Sequence, residues 1–227
     1  MPSVDHDALS EECAMTNRHN KINNAVNIDD AIKEAVEYFI DTEKMMMMSR
    51  YSWDRGVDEE AIDLEDEATR EDYEEYVTAY ASDRVDDALT ELCWSIDEEE
   101  GRVSIWRSLT VPADFLDNGI RDRPLGIYWS FNEDAAESHW GNFSDDRLEI
   151  VLHAVADIND IDWQTSLELN AHSEEEKELR LKPTAIVHVI SATWTAIDPK
   201  EPARTVLLGA DFAVGDTSNP ARLVMAA

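Results

Sequence analysis

"EEEGRVSIWRSLTVP", residues 98–112, is where the chain changes its period. Before it, apolar residues recur every three or four positions. After it, they alternate or fall in runs too short for a helix. Three glutamates and Gly101 close the first pattern. Val103, Ile105, Leu109 and Val111 open the second, and Pro112 stops it. Alternation marks a strand, because successive side chains point to opposite faces of a sheet. A chain that is helical before this point and strand-rich after it is expected to be α+β, with a mixed or antiparallel sheet.

Moving back from residue 98, "NIDDAIKEAVEYFIDTEKMMMM" (27–48) sets Ile28, Ile32, Ala35, Val36, Phe39 and Ile40 at helical spacing. Asn27 stands where a cap is expected. Met45 to Met48 read as pliable core packing at the end of this helix. "EDEATREDYEEYVTAYA" (65–81) puts Tyr73, Tyr76, Val77 and Tyr80 on one helical face. A third helix opens at Ser82 and repeats Val85, Leu89, Leu92 and Ile96. Residues 1–26 are polar, lack periodicity and read as a loose tail. The expected organisation is a tail (1–26), a helical accessory region (27–100) and a core (101–227).

Moving forward, "LGIYWSF" (125–131) reads as a strand, followed by a short helix in "NEDAAESHW" with Asn132 near its cap. "RLEIVLHAVA" (147–156), "ELRL" (178–181), "AIVHVISATW" (185–194) and "TVLLGADFAV" (205–214) read as further strands. "DIDWQTS" (160–166) reads as a loop over a cleft, with Asp162 and Trp163 as side chains that either touch a ligand or cap and pack. There is no Gly-rich phosphate loop, no HExxH and no GxGxxG, which excludes the usual dinucleotide-fold dehydrogenase signature.

The 227 residues carry 51 Asp and Glu against 19 Lys and Arg, a formal net charge of -32. A field of that sign repels nucleic-acid backbones and anionic membranes. It points either to a halophilic cytoplasm or to a protein that imitates nucleic acid toward a basic partner. Cys13 and Cys93 lack the spacing of a zinc site or a disulfide framework. The sequence shows no secretory leader and no apolar run long enough to span a bilayer. A soluble, cytoplasmic protein without a resident metal is the expectation.

Polar residues break the apolar pattern at three strands: Arg107 in "SIWRSL", Ser130 at the end of "GIYWS", and Glu178 at the start of "ELRL". A half-buried guanidinium needs an anionic or polar partner. With Arg, Ser and Glu in this order, residues 102–194 resemble the ADP-ribosyltransferase superfamily, in the branch built on those three residues. There a first strand carries Arg after an aromatic, as in "SIWRS". A second reads Gly, an apolar pair and Ser before a short Ala-containing helix, as in "LGIYWSFNEDAAESHW". A later strand begins Glu-x-Glu, as in "EKELRLKPTAIVHV".

The resemblance implies NAD as substrate and mono-ADP-ribosyl transfer or NAD hydrolysis as activity. Glu178 would be the catalytic carboxylate, with Glu176 orienting an acceptor and Ser130 positioning Glu178. Glu174-x-Glu176 also has the spacing, but Leu179 and Leu181 give the strand starting at Glu178 its apolar face. Arg107 would pair with the pyrophosphate. Ser108, Tyr128, Trp129 and Phe131 would line the dinucleotide site. The family often has Gly where Ser108 stands and a Ser-Thr-Ser triplet where Ser130-Phe131-Asn132 stands. These departures bear on nicotinamide placement and leave a catalytically dead relative as one outcome. The alternative function is a non-enzymatic acidic decoy for a basic nucleic-acid-binding protein. His153 and His188 fall inside strands and read as structural.

Overall fold

The computed structural model of the chain describes residues 22, 27–97, 100–112, 125–138, 147–173, 177–194 and 204–215. Helices come first: α1 (Ile28–Thr42), α2 (Lys44–Arg55) and α3 (Glu67–Trp94). Then follow β1 (Ile96–Asp97), β2 (Arg102–Pro112), β3 (Tyr128–Ser130), α4 (Glu133–Ser138) and β4 (Arg147–Asp157). The remaining elements are α5 (Trp163–His172), β5 (Glu178–Arg180), β6 (Ile186–Trp194) and β7 (Arg204–Ala213). The fold is α+β; α3 ends at Trp94 and Ile96, expected in the helix, already belongs to β1, so the change falls a few residues before Gly101. No helix among the described residues is long and apolar enough to cross a membrane.

The strands form one sheet in the order β5-β3-β2-β4-β6-β7, with β1 added against β2. Every described pairing is antiparallel. β2 and β4 form the longest ladder, from Arg102↔Asp157 to Pro112↔Arg147. One face of this ladder carries Val103, Ile105 and Leu109 opposite Ala156, Ala154 and Ile150, all buried. Arg107 occupies that same row, opposite the buried Leu152.

Local sequence explains several departures from the expected helices. The run 27–48 breaks at Glu43, so the methionines start α2 instead of ending α1. Met47 is fully buried, but Met45 is 88% exposed, so only part of the run packs in the core. Asn27 sits in the left-handed region with φ 49 and its side chain makes no capping bond. It donates instead to the Asp30 carboxylate at 2.6 Å. The expected second and third helices are one, because Ser82 lies mid-helix with its hydroxyl donating to the Thr78 carbonyl at 2.8 Å. A serine satisfied by its own preceding turn does not end a helix.

The expected loop "DIDWQTS" is the start of α5. The Asp162 side chain accepts from the Thr165 N–H and caps it, and Trp163 is buried with its indole N–H on the Ile158 carbonyl at 3.1 Å. α5 packs on α1, α3 and β5. The helices and the sheet share one cluster of buried apolar side chains, from Phe39, Leu89 and Leu92 to Ile105, Leu152 and Leu179. Cys93 is buried within it; Cys13 lies outside the described residues.

Candidate functional site

β5 is an edge strand, and its outer edge needs partners. α5 supplies them from a polar stripe that is otherwise out of place in a core. Ser166 and Asn170 are 0% and 4% exposed. The Arg180 N–H donates to Ser166 Oγ at 3.0 Å, and Asn170 Nδ2 donates to the Glu178 carbonyl at 2.5 Å. The Asp162 N–H donates to the Arg180 carbonyl at 2.8 Å. So the short, three-residue β5 is held on both sides, by β3 and by α5.

The inner side of β5 aligns the sequence-predicted residues. Glu178 lies opposite Ser130, and Ser130 lies opposite Trp106. Antiparallel partners share a face, so Glu178, Ser130 and Trp106 form one row across three strands. Trp106 continues this row to His153 on β4, with the two rings stacked at 4.9 Å and 4°.

β2 and β3 pair at one register position, Trp106↔Ser130. At this fork lies a hollow of about 190 Å³, lined by Arg107, Ser108, Tyr128, Ser130 and Glu178 together with Trp106, Trp129 and Ala136. It is smaller than the ~300–1,000 Å³ of sites that engulf a drug-sized molecule. One ring or one sugar fits; a whole dinucleotide would extend out of it.

Arg107 Nη1 donates to the Tyr128 carbonyl, which ties β2 to β3 just past the fork. The guanidinium lies against Gly126, at a φ of +79, where a Cβ would come within 2.7 Å of Nη2. Gly126 is therefore part of the site, although its sequence signal was only its place before the apolar pair of "LGIYWS". Ser108 Oγ is buried at the hollow with no hydrogen-bond partner among the described residues.

Ser130 is 6% exposed, and its hydroxyl works on backbone. It lies 3.0 Å from the Lys177 carbonyl and 2.8 Å from the Asn132 carbonyl, and it accepts from the Asn132 N–H at 3.1 Å. The Phe131 N–H also donates to the Lys177 carbonyl, at 3.1 Å. The Ser130 hydroxyl thus reaches the peptide that precedes Glu178; the resemblance implied a hydrogen bond from Ser130 that positions Glu178. That peptide belongs to Lys177, whose φ of 48 is unusual for a residue with a side chain. Strained backbone of this kind persists where its surroundings hold it. Here Ser130, Phe131 and an ion pair between Lys177 Nζ and Glu91 of α3 hold it.

The aromatic residues divide. Tyr128 is open, at 44% exposure; Trp129 lines the hollow but is almost wholly buried, with its indole N–H on the Gly126 carbonyl at 3.0 Å. Phe131 is buried and does not line the hollow. Trp106, which the sequence reading left out of the site, does. A second guanidinium stands beside Tyr128: Arg180 pairs with Asp162 at 2.7 Å and lies 6.0 Å from the Tyr128 ring centre. Glu176 lies outside the described residues. Among those that are described, no cluster of three or more His, Cys, Asp or Glu could hold a metal ion.

His188 pairs with Asp211 at 2.6 Å, and His172 with Glu43 at 2.9 Å, both away from the hollow. His153 backs Trp106, and burial pushes its pKa below the ordinary value, with the Glu133 carboxylate opposing. Compared with known proteins, the chain matches no family model, no curated protein and no solved structure.

Proposed function

We propose that the fork hollow cleaves the nicotinamide–ribose bond of NAD, transferring ADP-ribose to an acceptor or to water. One observation carries the reading. Arg107, Ser130 and Glu178 are 71 positions apart from first to last (178 minus 107), yet all three line one hollow of the right size for one ring or one sugar.

The residue chemistry suits that reaction. Loss of nicotinamide builds oxocarbenium character on the ribose. A carboxylate aimed at it stabilises the developing charge, and Glu178 is the carboxylate lining the hollow. Its backbone is held by Asn170 and, one peptide earlier, by Ser130. Such support from neighbouring groups is what keeps a reacting carboxylate in place. Arg107 supplies positive charge for a phosphate oxygen in a chain of net charge -32. Tyr128 offers an open ring face at the mouth. Glu176, two residues ahead, would orient the acceptor.

The decoy reading rests on the net charge alone. Incubating the purified chain with NAD separates the two. Release of nicotinamide, lost in Glu178→Gln, supports the enzyme. No release across acceptors and salt concentrations, together with tight binding of a basic nucleic-acid-binding protein, supports the decoy.

A further inference from the structure

A second hollow lies away from the fork, where α1, α2 and α3 meet, and measures about 390 Å³. Its wall is built from Ile40, Met47, Met48, Leu64, Tyr73 and Val77. Met47 is fully buried and Val77 nearly so. The size falls within the ~300–1,000 Å³ of small-molecule sites.

The polar groups at this hollow are already engaged. Lys44 pairs with Asp41. Glu74 pairs with Arg70 at 3.9 Å, and the Thr78 hydroxyl donates to the Glu74 carbonyl at 2.8 Å. The lining therefore offers water few hydrogen bonds, and an apolar guest that covers it removes apolar surface from water. Tyr73 is the exception. Its ring packs edge-on against Tyr51 at 5.2 Å, and burial raises its phenol pKa. Met47 and Met48 give the wall side chains that adapt to the shape of a guest.

We propose that this hollow is a binding site for a neutral, largely hydrocarbon or aromatic small molecule with at most one polar group, which would meet the Tyr73 hydroxyl. An anionic ligand is disfavoured by the net charge of -32. The site is independent of the fork hollow and of any reaction there.

The probe is 1-aminoanthracene, a neutral fluorophore, titrated into the full chain without NAD. The expected result is saturable, one-to-one fluorescence enhancement and a higher melting temperature. Val77→Phe fills the hollow from α3, and Leu64→Trp fills it from the connection between α2 and α3. Each is expected to weaken binding by about ten-fold or more while keeping the wild-type circular dichroism, because the occupied volume is removed. If Val77→Phe fails to fold, Leu64→Trp, which lies outside any helix, decides alone. Absence of saturable binding, or a smaller loss in a folded filled variant, overturns the proposal.

Discussion

The Arg107 guanidinium occupies the place where a side chain on Gly126 would begin. A Cβ there would stand 2.7 Å from Nη2, 2.9 Å from Cζ and 3.1 Å from Nη1. Gly126 is thus required twice, for its positive φ and for the room it leaves to Arg107. Gly101 separates these two demands. It has a similar φ of +66, but a Cβ would meet only Ile158 Cδ1, at 3.8 Å.

Alanine at either glycine should therefore cost about 1–2 kcal/mol of stability, the strain of a left-handed residue with a side chain. Gly126→Ala should in addition displace Arg107 and weaken NAD binding; Gly101→Ala should not. Arg107→Lys complements the pair, because an ammonium keeps the charge but loses the planar fork. It should recover only part of the ~1.5–3 kcal/mol that a charged hydrogen bond to phosphate contributes. Thermal melts with and without NAD measure both quantities. Unchanged NAD affinity in Gly126→Ala and Arg107→Lys would remove Arg107 from the site.

Under the proposed reaction, Glu178→Gln keeps shape and removes the charge that would face the ribose, so nicotinamide release should fall by roughly 100-fold or more. Melting should change little, since glutamine keeps the size of the side chain and the backbone bond from Asn170. Glu176→Gln should suppress transfer to an acceptor more than hydrolysis. Equal turnover in wild type and Glu178→Gln, followed by the release of nicotinamide, would end the catalytic assignment.

The α+β class was legible because the period switches at Gly101, where helix-spaced Leu89, Leu92 and Ile96 give way to alternating Val103 and Ile105. The trio that lines the fork hollow was legible because each member is a polar residue on an apolar strand. α5 was not. Its buried positions include Trp163, Leu167 and Ala171, a four-residue spacing, but Ser166 and Asn170 are buried as well. Those two polar residues serve the edge of β5, a need that becomes visible only once the sheet order is known. The closeness of Gly126 to Arg107 was hidden for the same reason: the two are 19 positions apart in the chain (126 minus 107). The single long α3 escaped because Ser82 has the residue type of a cap, and only its bond to Thr78 shows otherwise.

Salt should act on the whole molecule. A net charge of -32 stores self-repulsion that counterions relieve. The exposed ion pairs oppose this trend only weakly, since each contributes about 0–1 kcal/mol and is itself screened. The melting temperature should climb steeply from low to molar salt. A flat profile would dismiss halophilic adaptation and strengthen the decoy reading.

pH should act through His153, on a face shared with Glu178 and Ser130. Its ring stacks on Trp106 and its Nε2 is buried without a hydrogen-bond partner among the described residues. Burial lowers its pKa from the ordinary 6.5, and Glu133 on α4 pulls the other way. The sign follows from proton counts. Below 6.5 the unfolded chain takes up a proton on this residue that the folded chain resists, so folding is penalised increasingly as pH falls from 6.5 toward the lowered pKa. Above 6.5 neither state is protonated there and the penalty vanishes. Asp66 titrates in a separate, more acidic window. The Thr69 N–H and hydroxyl hold its carboxyl below the ordinary value, so the stability it adds is lost only as pH falls through that lowered pKa. His153→Phe keeps a ring on Trp106 and removes the proton site. Urea midpoints for the variant and wild type should differ by a constant amount between pH 7 and 8, an interval set by the ordinary histidine pKa of ~6.5. The variant should then gain on the wild type as pH drops toward 5, about 1.5 units below that value. Parallel curves across the whole range would show that His153 is not resisting protonation in the folded chain.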